Sequence, residues 1–167
     1  MPDALDPRDV AAIGAQLGRT PRGIAEIGHR CPCSLPDVVT TEPRLPDGTP
    51  FPTTFYLTCP RAASLIGTLE GGGLMAEMQE RLASDPELAA AYRGAHERYL
   101  AARAELGEPV PEIEGVSAGG MPDRVKCLHA LAGQSLAQGP GVNPLGDEVL
   151  GILGDWWASG PCVEVGE

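Results

Sequence analysis

The chain has 167 residues, within the roughly 100–200 expected of one domain, and is long enough to bury a core without disulfide or metal staples. It carries 12 Lys and Arg against 23 Asp and Glu, a net charge of −11 that argues against nucleic-acid binding through phosphate neutralisation and against adsorption to anionic membrane lipid. No apolar run approaches the roughly 18 residues of a membrane helix, and the acidic stretch from Met1 to Val10 is not a basic leader, so the expectation is a soluble, cytoplasmic protein.

Twenty-two glycines and 17 prolines predict a loop-rich chain. Asp6 as a cap, Pro7 in the first turn and Gly18 as a stop predict a short amphipathic helix carrying Val10, Ile13 and Leu17. Strands are expected over Ile24 to Gly28, Val38 to Thr41 and Thr53 to Thr58, with Pro46-Asp47-Gly48 turning between the last two. Helical patterns follow at Arg61 to Glu70 and Leu74 to Ala83, on either side of Gly71-Gly72-Gly73. Ser84-Asp85-Pro86-Glu87 reads as a capping box that opens a long helix to about Leu106. A further helix is expected over Pro122 to Gln138, and Asn143-Pro144 opens a last one carrying Trp156 and Trp157. The class is α+β, in a single domain over 1–167: a lead-in helix within 1–22, a small antiparallel sheet of about three strands within 23–59, and a mostly helical part over 60–160.

Five cysteines in a chain without an export signal read as metal ligands, reactive thiols or core residues rather than disulfides. If the second and third strands form a hairpin, the midpoint between Cys33 and Cys59 falls inside the turn, so Cys31, Cys33 and Cys59 are expected at one end of the sheet. A fourth ligand would come from Lys126-Cys127-Leu128-His129. Two residues apart on a helix are about 200° apart, so one helix would present Cys127 or His129 but not both. Cys127 is preferred, with His129, His29 and Cys162 in reserve. Such a set fits zinc better than an iron–sulfur cluster, although the thiolates suit both. The alternative is that the cysteines are small buried hydrophobes.

Ser117-Ala118-Gly119-Gly120 running into the expected Pro122 helix suggests an anion site, with Ser117, Gly119, Gly120 and Arg124 around a phosphate or carboxylate, unless Asp123 simply caps the helix. Tyr92, His96, Tyr99 and Arg103 share one helix face, lining either a pocket or the core. Glu70 with Glu77, and Asp147 with Glu148, read as solvated helix faces.

The words Arg30-Cys31-Pro32-Cys33, Pro43 through Pro52, Tyr56-Leu57-Thr58-Cys59-Pro60, Ser117 through His129 and Gly139 through Pro144 resemble the actinobacterial family catalogued as domain of unknown function 501. The resemblance covers about Arg19 to Cys162 and implies a cytosolic housekeeping role near cell division or phosphate metabolism. It assigns no residue a role.

Three readings follow. One is a structural zinc site at Cys31, Cys33, Cys59 and Cys127 that pins the hairpin to the Pro122 helix, with the glycine loop free for a small anionic ligand or protein partner. Another is a metal-dependent or phosphate-handling enzyme with His129, His96, Lys126 or Asp123 moving protons. The third is a protein–protein adaptor using Trp156 and Trp157, with inert cysteines.

Overall fold

The computed structural model describes residues 5–165. Asp6 accepts the amide of Asp9 at 2.9 Å, Pro7 fills the first turn, and Gly18 closes the helix in the left-handed region, giving α1 (Pro7–Leu17). The strands β1 (Ile24–Arg30), β2 (Pro36–Thr41) and β3 (Phe55–Leu57) form one antiparallel sheet in that order. The expected turn between β2 and β3 is present: Gly48 N–H donates to Leu45 O, and Thr49 N–H donates to the Asp47 carboxylate.

All six residues of β2 are buried, because the strand is covered on both sides. The two-residue period divides them. Val38 joins Phe55 and Leu57 in the main core, while Val39 packs with Ile13 of α1 and Ile27 of β1 on the other face. The main core continues into α2 (Pro60–Glu70), α3 (Leu74–Ser84), α4 (Pro86–Ala104), α5 (Leu128–Gln138) and α6 (Pro144–Leu153). The architecture is α+β, a three-stranded antiparallel sheet against a mainly helical remainder.

Three local expectations are corrected. Ser84 does not cap α4; it ends α3, its hydroxyl donates to Glu80 O, and Asp85 accepts the amides of Glu87 and Leu88 instead. Asp85 sits directly before Pro86 in an extended conformation, where its carboxylate reaches both amides. No helix starts at Pro122, because Lys126 N–H turns back to Gly119 O at 2.7 Å rather than joining a helical ladder, and the helix begins only at Leu128. Trp156 and Trp157 lie beyond α6, which stops at Leu153 ahead of Gly154 in a left-handed φ of 65°.

The expected stripe on α4 is real and buried, and each member terminates a segment outside the helix. Tyr92 Oη donates to Arg124 O at 2.7 Å, and Tyr99 Oη accepts from Phe55 N–H at 3.2 Å. The Arg103 guanidinium donates to Pro52 O and Ile113 O. His96 Nδ1 lies 2.7 Å from Ser117 Oγ, and burial holds its pKa below the ordinary value.

Helix α5 is buried nearly all round and is approached closely from two sides. A Cβ on Gly133 would stand 2.7 Å from Phe55 O of β3, and one on Gly146 of α6 would collide with Leu131 O and Ser135 Oγ. Gly146→Ala is therefore expected to destabilise the protein by about 3 kcal/mol in denaturant unfolding. Gly151→Ala in the same helix, with nothing within 4 Å of its new methyl, should be neutral or stabilising by up to about 1 kcal/mol.

Candidate metal centre

Helix α2 ends at Glu70 beside the start of α5. Leu128 N–H, a first-turn amide without a partner in its own helix, donates to Glu70 Oε2 at 2.8 Å. A carboxylate in the last turn of a helix opposes that helix's dipole, but here it meets the positive end of the neighbouring helix. The anion-binding end of α5 is thus filled by the chain's own Glu70.

Cys127 is the residue before α5, with an extended φ of −151°, and His129 lies in the first turn. Since Cys127 is not helical, the 200° separation expected for two helical residues does not apply, and both side chains turn to one side. One ligand atom each from Glu70, Cys127 and His129 lies within 4.8 Å of the others, and all three residues are half-buried. Among the described residues this is the group of His, Cys, Asp or Glu side chains that converges tightly enough to hold a metal ion.

His129 Nδ1 lies 3.1 Å from Glu70 Oε2, and Nε2 lies 3.0 Å from Ala63 O in α2. Carboxylate and carbonyl oxygens only accept, so both ring nitrogens are satisfied when both carry protons. The Cys127 side chain beside the ring, followed by the Ala63 carbonyl and the Glu70 charge, overcomes burial and pushes the His129 pKa up to about 9. This is not a nucleophile relay. A relay needs cysteine and carboxylate on opposite ring nitrogens, and here the nitrogen opposite Glu70 is held by Ala63.

Cys127, His129 and Ala63 line a cleft of about 690 Å³ together with Phe55, Thr58, Ser64 and Gln16. Thr58 Oγ1 and Gln16 Oε1 are buried without a hydrogen-bond partner among the described residues. Gly119 also lines the cleft; a Cβ there would stand 2.8 Å from Leu131 Cδ2 and 3.1 Å from Cys127 O, so the glycine lets the loop fold against the segment that carries Cys127.

The other predicted site residues are dispersed. The expected quartet splits: Cys31 interacts with Cys33, Cys59 with Cys162, and Cys127 with His129. The sheet does bring Cys31 and Cys59 towards one end, but Thr58 N–H bonds Asp37 O, which sets Cys59 beside Pro36 while Cys31 and Cys33 curl into the β1–β2 turn. Burial pushes the Cys31 thiol up to about 12 and the Cys59 thiol up to about 11, as befits small core groups. The Ser117 loop does not lead into a helix N-terminus. Ser117 is buried against His96, Gly119 and Gly120 offer carbonyls to Lys126 and Arg124 amides, and the side chains of Asp123, Arg124 and Lys126 are exposed. His29 pairs with Asp37 away from the cleft. Glu70, read from sequence as a solvated face, is the member of this group that the sequence reading misses; its signal is an acid at a helix C-terminus, where the dipole disfavours it.

In metal-free protein, NMR titration of the His129 ring should give a midpoint near 9 rather than the ordinary 6.5. Because the folded pKa is raised, the stability contributed by this imidazolium is complete below pH 6.5 and lost as pH rises through about 9. Glu70→Gln should move the midpoint down; an unchanged midpoint would remove Glu70 from the cluster.

No helix among the described residues is long and apolar enough to cross a membrane. No curated protein and no solved structure matches the chain. A family model described as "Protein of unknown function (DUF501)" matches residues 27–151, which span the latter part of β1, all of β2 and β3, and the elements that bring Glu70, Cys127 and His129 together. The chain therefore belongs to the DUF501 family.

Proposed function

We propose that the protein binds one divalent transition-metal ion, zinc by ligand chemistry, at Glu70, Cys127 and His129, and uses it to act on a small molecule held in the adjoining cleft. The observation that carries this reading is the convergence of a carboxylate, a thiol and an imidazole within 4.8 Å, with the far ring nitrogen already engaged by a backbone carbonyl. Zinc accepts these three donor types, and metal-bound histidines commonly give their other N–H to a carbonyl or carboxylate. A single thiol in the group argues for one ion over an iron–sulfur cluster, which uses several thiolates. Three protein ligands also fit catalytic better than structural zinc, where four is the rule.

A zinc ion bound there supplies Lewis acidity and a lowered pKa for its water. The chain's own groups do the rest. Ala63 O fixes the ring so that Nδ1 faces Glu70, and Leu128 N–H holds the Glu70 carboxylate in place. A ligand in the cleft packs its body on Phe55, Leu57 and Ala63. Five free cysteines suit a reducing, cytoplasmic setting.

Adding cobalt(II) to metal-free protein tests this directly. One equivalent should bind with a thiolate-to-cobalt charge-transfer band, and zinc should displace it. Cys127→Ser should abolish the band, and His129→Gln should weaken binding by more than roughly 100-fold, with circular dichroism unchanged. Cys33→Ser should leave both intact. Failure of the unaltered protein to take up cobalt, or a band that survives Cys127→Ser, would overturn the assignment.

A further inference from the structure

Two cysteines far apart in sequence are brought together outside the Glu70 group. Cys59 is sealed at the N-terminus of α2, and Cys162, in the segment beyond α6, is half-buried against the core cluster that contains Cys59. Side-chain and backbone contacts fix where that segment lies. Arg61, two residues after Cys59, donates from Nη1 to Gly160 O, two residues before Cys162. Gln16 of α1 donates from Nε2 to Cys162 Sγ at 3.3 Å and to Pro36 O at 2.7 Å. Thr58 N–H bonds Asp37 O, which holds Cys59 alongside the same stretch of β2. The two segments therefore pass one another with their thiols as neighbours, and the thiols interact directly.

Packing as a small hydrophobe accounts for Cys59 but not for a second, half-buried thiol set against it. Among the described residues no third His, Cys, Asp or Glu side chain joins the two closely enough to hold a metal ion, so the chemistry open to them is that of a thiol pair. The pair is asymmetric. Burial pushes the Cys59 thiol up to about 11, which leaves it protonated and sealed, while Cys162 is the member that solvent reaches.

We propose that Cys59 and Cys162 are an oxidative modification site that closes to a disulfide in response to hydrogen peroxide. The Cys162 sulfur attacks one peroxide oxygen, the O–O bond breaks, a sulfenic acid forms, and the displaced hydroxide leaves as water with the thiol proton. The Cys59 sulfur then attacks the Cys162 sulfur, the S–O bond breaks, and the hydroxyl leaves as a second water with the Cys59 proton. Two thiols are oxidised and one peroxide is reduced to two waters. The new bond ties the segment after α6 to the start of α2. It uses none of Glu70, Cys127 and His129, so the inference stands apart from the metal reading.

The test treats the reduced full chain, stripped of metal by a chelator, with one equivalent of hydrogen peroxide and then alkylates it in denaturant. Two of the five thiols should be lost to the alkylating reagent, non-reducing peptide mapping should recover Cys59 joined to Cys162, and dithiothreitol should restore both. Cys33→Ser should still form the link, and Cys162→Ser should leave Cys59 as a free thiol. If the second variant does not fold, the peptide map of the unaltered protein decides alone. A link confined to Cys31 and Cys33, Cys162 recovered as a sulfinic acid with Cys59 still free, or no loss of thiols would each overturn the proposal.

Discussion

The fold depends on satisfying the backbone of a chain unusually rich in loops. Segments that are neither helix nor strand carry amides and carbonyls with no ladder to join, and burying them unpaired costs more than packing returns. The buried face of α4 provides the partners. Tyr92, Tyr99 and Arg103 reach Arg124, Phe55, Pro52 and Ile113 main-chain groups. Gln134 of α5 extends the system to Ala95 O and, through Asn143, to the cap of α6. A purely apolar α4 would pack as well and leave these loops unanchored.

That anchoring is what aims the group of Glu70, Cys127 and His129. Residues 119–127 are held by Tyr92 at Arg124 O, by Gln79 at Val125 N–H, and by their own bond from Lys126 N–H to Gly119 O. Cys127 is therefore delivered in an extended conformation at the mouth of α5, where Glu70 arrives from α2. The close glycine contacts at Gly133 and Gly146 keep α5 tightly seated between β3 and α6, so the mouth stays in register with the cleft.

Features governed by neighbours in sequence could be read from the residues alone. Asp6-Pro7, Asn143-Pro144 and the Pro46 turn each act within a few positions, and each appears where expected. The Pro122 helix failed because a proline at a plausible first turn cannot reveal that Lys126 N–H bonds seven residues back. The site failed in a related way. Sheet pairing indicates which end of a strand a cysteine occupies but not where its side chain points, and Glu70 meets Leu128 across 58 positions. The helical rule that separated Cys127 from His129 was sound; its premise, that both belong to the helix, was not.

The double engagement of His129 has a consequence for chemistry at the site. With Nε2 on a carbonyl and Nδ1 on a carboxylate, the imidazolium places its own positive charge beside Glu70 and holds the group in place. A metal ion held there as proposed would have to displace the Nδ1 proton. Under that proposal, loading is an exchange of ion for proton, tighter in alkaline surroundings and reversed by acid.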